Sequence, residues 1–184
     1  MPKFEIVMIS RIQFKIRVFF SNAYELGALF RKYYGVKIGN NSRFTGSDVS
    51  FGSEPYLVEI GDNVTITHGV RFQTHDGGVG ILRKEHPGMN VFGRIKVGNN
   101  VFIGEEVMIM YGVTIGDNVV IGAKSLVTKD VPSNSVAVGI PAKVIKSLEE
   151  YKESSLKRAI FITSMNADKR RQEIIRHLGN SETD

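Results

Sequence analysis

Branched aliphatic residues recur at intervals of six along much of the chain. The clearest row contains Val97, Ile103, Ile109, Ile115, Ile121 and Val127. A second row keeps the same interval at Val101, Val107, Val113 and Val119. An α-helix cannot hold a six-residue period on one face, whereas β-branched residues favour strands. Because Gly, Asn and Asp tolerate tight corners, the pattern predicts short strands that close three-sided coils, with the aliphatic rows inside.

The same pattern occurs earlier in the chain and is interrupted twice. The earlier rows are Val58, Val64 and Val70 with Ile60, Ile66 and Phe72, and more weakly Val36, Ile38 and Phe44. Ile60 and Val97 are 37 residues apart, which is not a multiple of six, so an inserted loop is predicted at about residues 74–94. A smaller bulge is expected between Phe44 and Leu57, where Gly46, Gly52 and Pro55 interrupt the spacing. We predict a coil over residues 36–146, a helical N-terminal segment over 1–35 and a helical tail over 147–184.

Composition and charge narrow the possible functions. The chain has no cysteine, so disulfides, thiolate metal sites and cysteine nucleophiles are excluded. Its net charge of +5 equals that of residues 1–37, which hold seven Lys or Arg and two Glu. That segment is also rich in aromatic residues, and contact with the inner face of a membrane is one reading of it. A terminal helix that packs its aromatic residues on the domain is the other. No apolar run reaches the length of a membrane span, and we expect a cytoplasmic protein that binds no nucleic acid.

The run from Ile115 to Ile145, IGDNVVIGAKSLVTKDVPSNSVAVGIPAKVI, resembles the hexapeptide-repeat acyltransferases. Within that family, the resemblance is to the sugar O-acetyltransferases and the xenobiotic acetyltransferases, and it extends over about residues 36–147. It implies an all-β fold, a left-handed parallel β-helix. It also implies a homotrimer with active sites between neighbouring subunits, acetyl-CoA as co-substrate and no metal. The backbone near Gly104, Gly122, Ala123 and Ala142 would contact the pantetheine arm, and the side chains facing the nucleotide end would be Thr128, Lys129, Lys143 and Lys146.

Acetyl transfer to a hydroxyl needs a base to take the hydroxyl proton, and imidazole is well suited to this role. His75 directly follows the last regular hexad before the inserted loop and matches the family's catalytic histidine. His68, His86 and Asp76 are secondary candidates for catalysis or acceptor binding. Neighbouring side chains of an extended chain point apart, so Asp76 need not orient His75, and a backbone carbonyl is an alternative. His177 lies in the charged tail and is set aside.

Several other functions are compatible with parts of the sequence. The inserted loop, DGGVGILRKEHPGMNVFGR, lacks the many aromatic and proline residues of the xenobiotic branch, which favours a saccharide acceptor, for instance in capsule or O-antigen assembly. N-acetylation of an amino sugar and xenobiotic acetylation remain alternatives. A zinc-dependent carbonic anhydrase on the same fold is disfavoured by the histidine spacing, because ligands on successive coils should differ by about 18 residues. A trimeric scaffold or membrane-surface binding module is the non-enzymatic alternative.

Overall fold

The structure, a computed structural model, describes residues 13–14 and 16–179. Short parallel strands form three sheets. Sheet A contains β1 (Lys37–Ile38), β3 (Val58–Ile60), β6 (Ile95–Val97) and β9 (Thr114–Ile115). Sheet B contains β2 (Arg43–Phe44), β4 (Thr65–Ile66), β7 (Phe102–Ile103), β10 (Val120–Ile121), β12 (Ser135–Gly139) and β13 (Ala142–Ser147). Sheet C contains β5 (Arg71–Gln73), β8 (Met108–Met110) and β11 (Leu126–Val127).

The strand register measures the length of each coil. In the later coils, Val97 pairs with Ile115 and Ile109 pairs with Val127, a step of 18 residues that equals three hexads. The step from Ile60 to Val97 is 37 residues, so the inserted loop accounts for the excess. Both aliphatic rows are buried, with relative exposures of 5% or less. The prediction of a parallel, three-sided coil with these rows inside is confirmed.

We call the turns from sheet A to B, from B to C and from C to A the first, second and third corners. At the first corner, the residues with positive φ are Asn41, Asn63, Asn100, Asn118 and Asn134. The neighbouring glycines serve another purpose. A Cβ on Gly98 would lie 2.8 Å from the carbonyl carbon of Gly116 on the next coil, so a side chain there would collide with backbone. Glycine therefore recurs at this corner because stacked coils approach closely, and asparagine makes the turn.

Replacing Gly98 with Ala should destabilise the fold by about 1–3 kcal/mol, because the added methyl group must displace backbone of the next coil. Gly77→Ala is the matched control, since a Cβ there meets no atom within 4 Å, and its effect should stay within about 0.5 kcal/mol. Urea unfolding at one fixed protein concentration measures both changes. Equal unfolding midpoints for the two variants would contradict the proposed role of Gly98.

Helix α1 (Glu25–Tyr34) closes the N-terminal end of the core. Its buried Leu26, Leu29 and Phe30 join the core cluster, and the Phe30 ring lies 4.9 Å from that of Phe44. Residues 13–14 and 16–20 are also helical. Of the seven basic residues in the N-terminal segment 1–37, Lys3, Arg11 and Lys15 lie outside the described residues.

The C-terminal part of the coil ends in an antiparallel hairpin. Strands β12 and β13 pair with Gly139 opposite Ala142, so the VGIPAKVI segment forms the edge of sheet B. The chain divides into two compact units after Leu148. The second unit contains most of α2 (Leu148–Leu156) and all of α3 (Ala167–Gly179). Within the described residues, no helix has both the length and the hydropathy needed to cross a membrane.

Candidate active site

His75 lies at the third corner, two residues after the end of β5. The inserted loop begins and ends beside it, because the Asp76 amide donates to the Val91 carbonyl and the Gly93 amide donates to the Thr74 carbonyl, each at 3.0 Å. The Phe92 ring meets the imidazole edge-on, with centroids 6.1 Å apart. The His75 side chain is 28% exposed. The end of β5 therefore places a partly exposed imidazole where the inserted loop begins and ends.

Glu54 is the hydrogen-bond partner of this imidazole. Its Oε2 atom lies 3.0 Å from Nδ1 of His75, and the same oxygen accepts a hydrogen bond of 2.7 Å from the Thr74 hydroxyl. The Glu54 side chain is only 17% exposed, and Thr74 is fully buried. An ionised carboxylate can only accept hydrogen bonds, so this contact favours the His75 tautomer that carries its hydrogen on Nδ1 and leaves Nε2 free to accept a proton. The arrangement suits a general base.

Glu54 reaches His75 from the preceding coil. Nine residues separate Phe51 from Ile60, where the regular interval between these row positions is six, so this coil is also enlarged at the third corner. Gly52 has a φ of +69°, and a Cβ there would lie 2.6 Å from the Thr74 hydroxyl oxygen. Both the turn and the close approach thus require glycine. The broken spacing predicted a bulge here, but it did not indicate which side chain the bulge would present.

Asp76 makes its side-chain hydrogen bonds with the inserted loop and with the next coil. One of its carboxylate oxygens accepts a hydrogen bond of 2.8 Å from the Gly78 amide, at the start of a 3₁₀ helix over Gly77–Leu82. The other lies 3.3 Å from the Tyr111 hydroxyl on the next coil. The negative charge of Asp76, aided by partial burial, raises the pKa of Tyr111. Tyr111, which the sequence analysis did not single out, thus attaches the loop to the coil.

The other candidate histidines lie in different surroundings. His68 is at the second corner, where its Nδ1 atom is 3.4 Å from a carboxylate oxygen of Asp48, and both side chains are 58% exposed. His86 is exposed within the inserted loop, and His177 is exposed on α3. Among the described residues, no three side chains of His, Cys, Asp or Glu lie close enough together to hold a metal ion.

The residues expected to bind acetyl-CoA lie at two different corners. Gly104, Gly122 and Ala123 are at the second corner, and the Ala142 end of the hairpin lies on the same side of sheet B. Thr128 and Lys129 follow β11 at the third corner, as His75 follows β5.

The remaining two predicted residues, Lys143 and Lys146, pair with Val138 and Val136 and so lie toward opposite ends of β12. Backbone packing also constrains the second corner, because a Cβ on Gly104 would lie 2.6 Å from the Ala123 amide nitrogen. One chain thus presents the two groups of residues at opposite borders of sheet C.

Comparisons with known proteins agree with this architecture. The family model described as bacterial transferase hexapeptide (six repeats) matches residues 94–129. The protein CapG of Staphylococcus aureus is 54% identical over 138 residues, which cover 74% of this chain and 80% of CapG. The galactoside O-acetyltransferase of Escherichia coli is 46% identical over 97 residues. The match covers 53% of this chain and 47% of that enzyme, which is about half of each.

Two solved structures of coenzyme complexes are similar over most of the chain. A galactoside acetyltransferase in complex with coenzyme A has a TM-score of 0.53 and 30% identity, covering 80% of this chain and 84% of that one. A hexapeptide-repeat acetyltransferase of Vibrio cholerae, in complex with acetyl coenzyme A, has a TM-score of 0.56 and 26% identity, covering 79% and 89%. The chain therefore belongs to the bacterial hexapeptide-repeat transferases. Within that class it is an acetyltransferase.

Proposed function

We propose that the protein transfers an acetyl group from acetyl-CoA to a hydroxyl of a saccharide, with His75 as the general base, on a left-handed coil. The observation that carries this proposal is the hydrogen bond between Glu54 and His75 at the third corner. The proposed reaction is also supported by the galactoside O-acetyltransferase among the relatives and by the coenzyme complexes among the similar structures.

The reaction is a direct transfer. Nε2 of His75 takes the acceptor hydroxyl proton as the hydroxyl oxygen attacks the thioester carbonyl. The tetrahedral oxyanion then collapses, the carbon–sulfur bond breaks, and the imidazolium returns its proton to the leaving thiolate. Backbone amides of the glycine-rich coils are suitable donors for the oxyanion. During this cycle Glu54 keeps the hydrogen on Nδ1 and compensates the transient positive charge of the ring.

We infer that the active unit is a homotrimer with its sites between neighbouring subunits. His75 lies at the third corner, whereas Gly104, Gly122 and Ala123 lie at the second. A neighbour can therefore supply one wall of a cleft that begins at the other corner. Lys129 and Lys143 are exposed and offer cations for the phosphates of the co-substrate.

A saccharide acceptor fits the polar side chains of the inserted loop and of the coil that holds it. The loop supplies Asp76 and Asn90, and the coil supplies Tyr111, all polar groups of the kind that bind hydroxyls. The similarity to the galactoside enzyme favours the same acceptor class. Assembly of a capsule or O-antigen is the process we propose for it.

The test is an acceptor panel incubated with acetyl-CoA, in which release of free thiol is followed against a reaction without acceptor. We expect thiol release that depends on a saccharide, and a product whose acetyl group is removed by mild alkali, as an ester is. An alkali-stable product from an amino sugar would identify an N-acetyltransferase instead. No binding of acetyl-CoA by calorimetry would exclude the proposed reaction.

A further inference from the structure

The helical residues that precede α1 have two apolar faces. Phe14 and Val18, four positions apart, pack against the core cluster of the coil. Ile16, Phe19 and Phe20 form a second face, because residues three and four positions apart share one side of a helix. This second face is exposed, with Phe19 at 83% and Phe20 at 79%. Packing against the core explains why Phe14 and Val18 are apolar, but it does not explain the apolar residues of the second face.

The two exposed rings of Phe19 and Phe20 contact each other. Their centroids lie 5.1 Å apart in an edge-to-face arrangement. Tyr24, at 54% exposure, follows in the same segment. Large exposed apolar groups close together on a folded protein are typical of an interaction surface.

The charge of the segment indicates the kind of partner. Residues 1–37 carry a net charge of +5, whereas the other 147 residues hold equal numbers of basic and acidic side chains. Arg17 lies next to Val18 on the helix, and Lys32 lies on α1; both are exposed. Exposed aromatic rings in a segment with excess positive charge are the combination that anchors a protein at the surface of an anionic bilayer.

We propose that the face formed by Ile16, Phe19 and Phe20 binds the surface of an anionic phospholipid membrane, with Arg17 and Lys32 contacting the headgroups. The rings enter the boundary between headgroups and acyl chains, and the excess positive charge of the segment holds the protein there. A two-fold contact between copies is less suitable, because it would bring two segments of like charge together. The proposal does not depend on the acetyl-transfer reaction.

The experiment is sedimentation with vesicles. The full chain is mixed with vesicles of phosphatidylglycerol and phosphatidylcholine, or of phosphatidylcholine alone, at low and high salt. We expect binding to the anionic vesicles, weakened by salt, and little binding to the neutral ones. The double variant Phe19→Ser/Phe20→Ser should lower the partition coefficient about tenfold or more, because the inserted rings are lost.

Phe161→Ser is the matched control, because Phe161 is also 79% exposed but lies in the tail, outside the N-terminal segment. It should bind vesicles like the original protein, whereas Arg17→Gln/Lys32→Gln should bind more weakly and lose part of its salt dependence. Circular dichroism and light scattering establish that each variant keeps its fold and its oligomeric state. Failure of the original protein to bind anionic vesicles would overturn the proposal. Unchanged binding by Phe19→Ser/Phe20→Ser would overturn it too. If the original protein does not bind vesicles and the Phe19→Ser/Phe20→Ser variant changes its oligomeric state, the face is assigned to a second copy of the chain.

Discussion

We expect His75→Ala to lower kcat for acetyl transfer by about 100- to 10,000-fold, because the reaction loses the group that accepts the hydroxyl proton. Affinity for acetyl-CoA should stay nearly unchanged, since the imidazole acts on the acceptor. Steady-state kinetics and calorimetry with acetyl-CoA measure the two effects separately. The partly exposed position of the ring makes a large loss of stability unexpected.

His177→Ala is the control for this prediction, because His177 lies on α3 in the second compact unit. It should retain full activity. His68→Ala and His86→Ala test the two secondary candidates directly. If His75→Ala keeps its activity and one of these two loses it, the assignment of the base is wrong, while the acetyl-transfer reaction itself still stands.

The second large effect is expected for Glu54→Gln, which should lower kcat by about 10- to 100-fold. The amide keeps the shape of the side chain but loses the negative charge, and its NH₂ group can turn toward Nδ1 and favour the wrong tautomer. Nitrogen-15 chemical shifts of the labelled His75 ring should report hydrogen on Nδ1 in the original protein and a shift toward Nε2 in the variant. A purely structural role for Glu54 would leave that tautomer signal unchanged.

Glu149→Gln is the matched control, because this carboxylate is 67% exposed and pairs with Lys152 within α2. It should change neither kcat nor the His75 tautomer. The KM for acetyl-CoA should be similar in both variants, which separates orientation of the base from binding of the donor. Normal turnover by Glu54→Gln would contradict the positioning role, whatever the outcome for His75→Ala.

The enlarged corners explain why the sequence predicted His75 as the base but did not predict Glu54 as its partner. His75 follows a regular hexad, so its register could be read from Phe72 and the strand that ends at Gln73. Glu54 lies in a stretch with extra residues, where the six-residue period gives no direction for a side chain. Its approach to His75 depends on the stacking of two coils and on the left-handed turn at Gly52.

For the glycines that follow the inward-facing aliphatic row, the sequence likewise predicted the position but not the physical cause. Their recurrence predicted corners, and corners are present. Their physical reason is different, because at the first corner Asn100 and Asn118 adopt positive φ while Gly98 makes room for the next coil. A period in the sequence records that small residues are needed, but only the distance between stacked backbones gives the cause.

The sequence by itself determined the coil, the 18-residue step of its regular turns and its buried aliphatic rows. These are local properties, since a side chain placed every sixth position must point to the same side of a strand that turns at regular corners. The tertiary structure alone decided that Glu54 meets His75, that Asp76 and Tyr111 fix the loop, and that Phe19 and Phe20 face outward. Each of these depends on segments that meet only after the coils have stacked, and no interval along the chain encodes that contact.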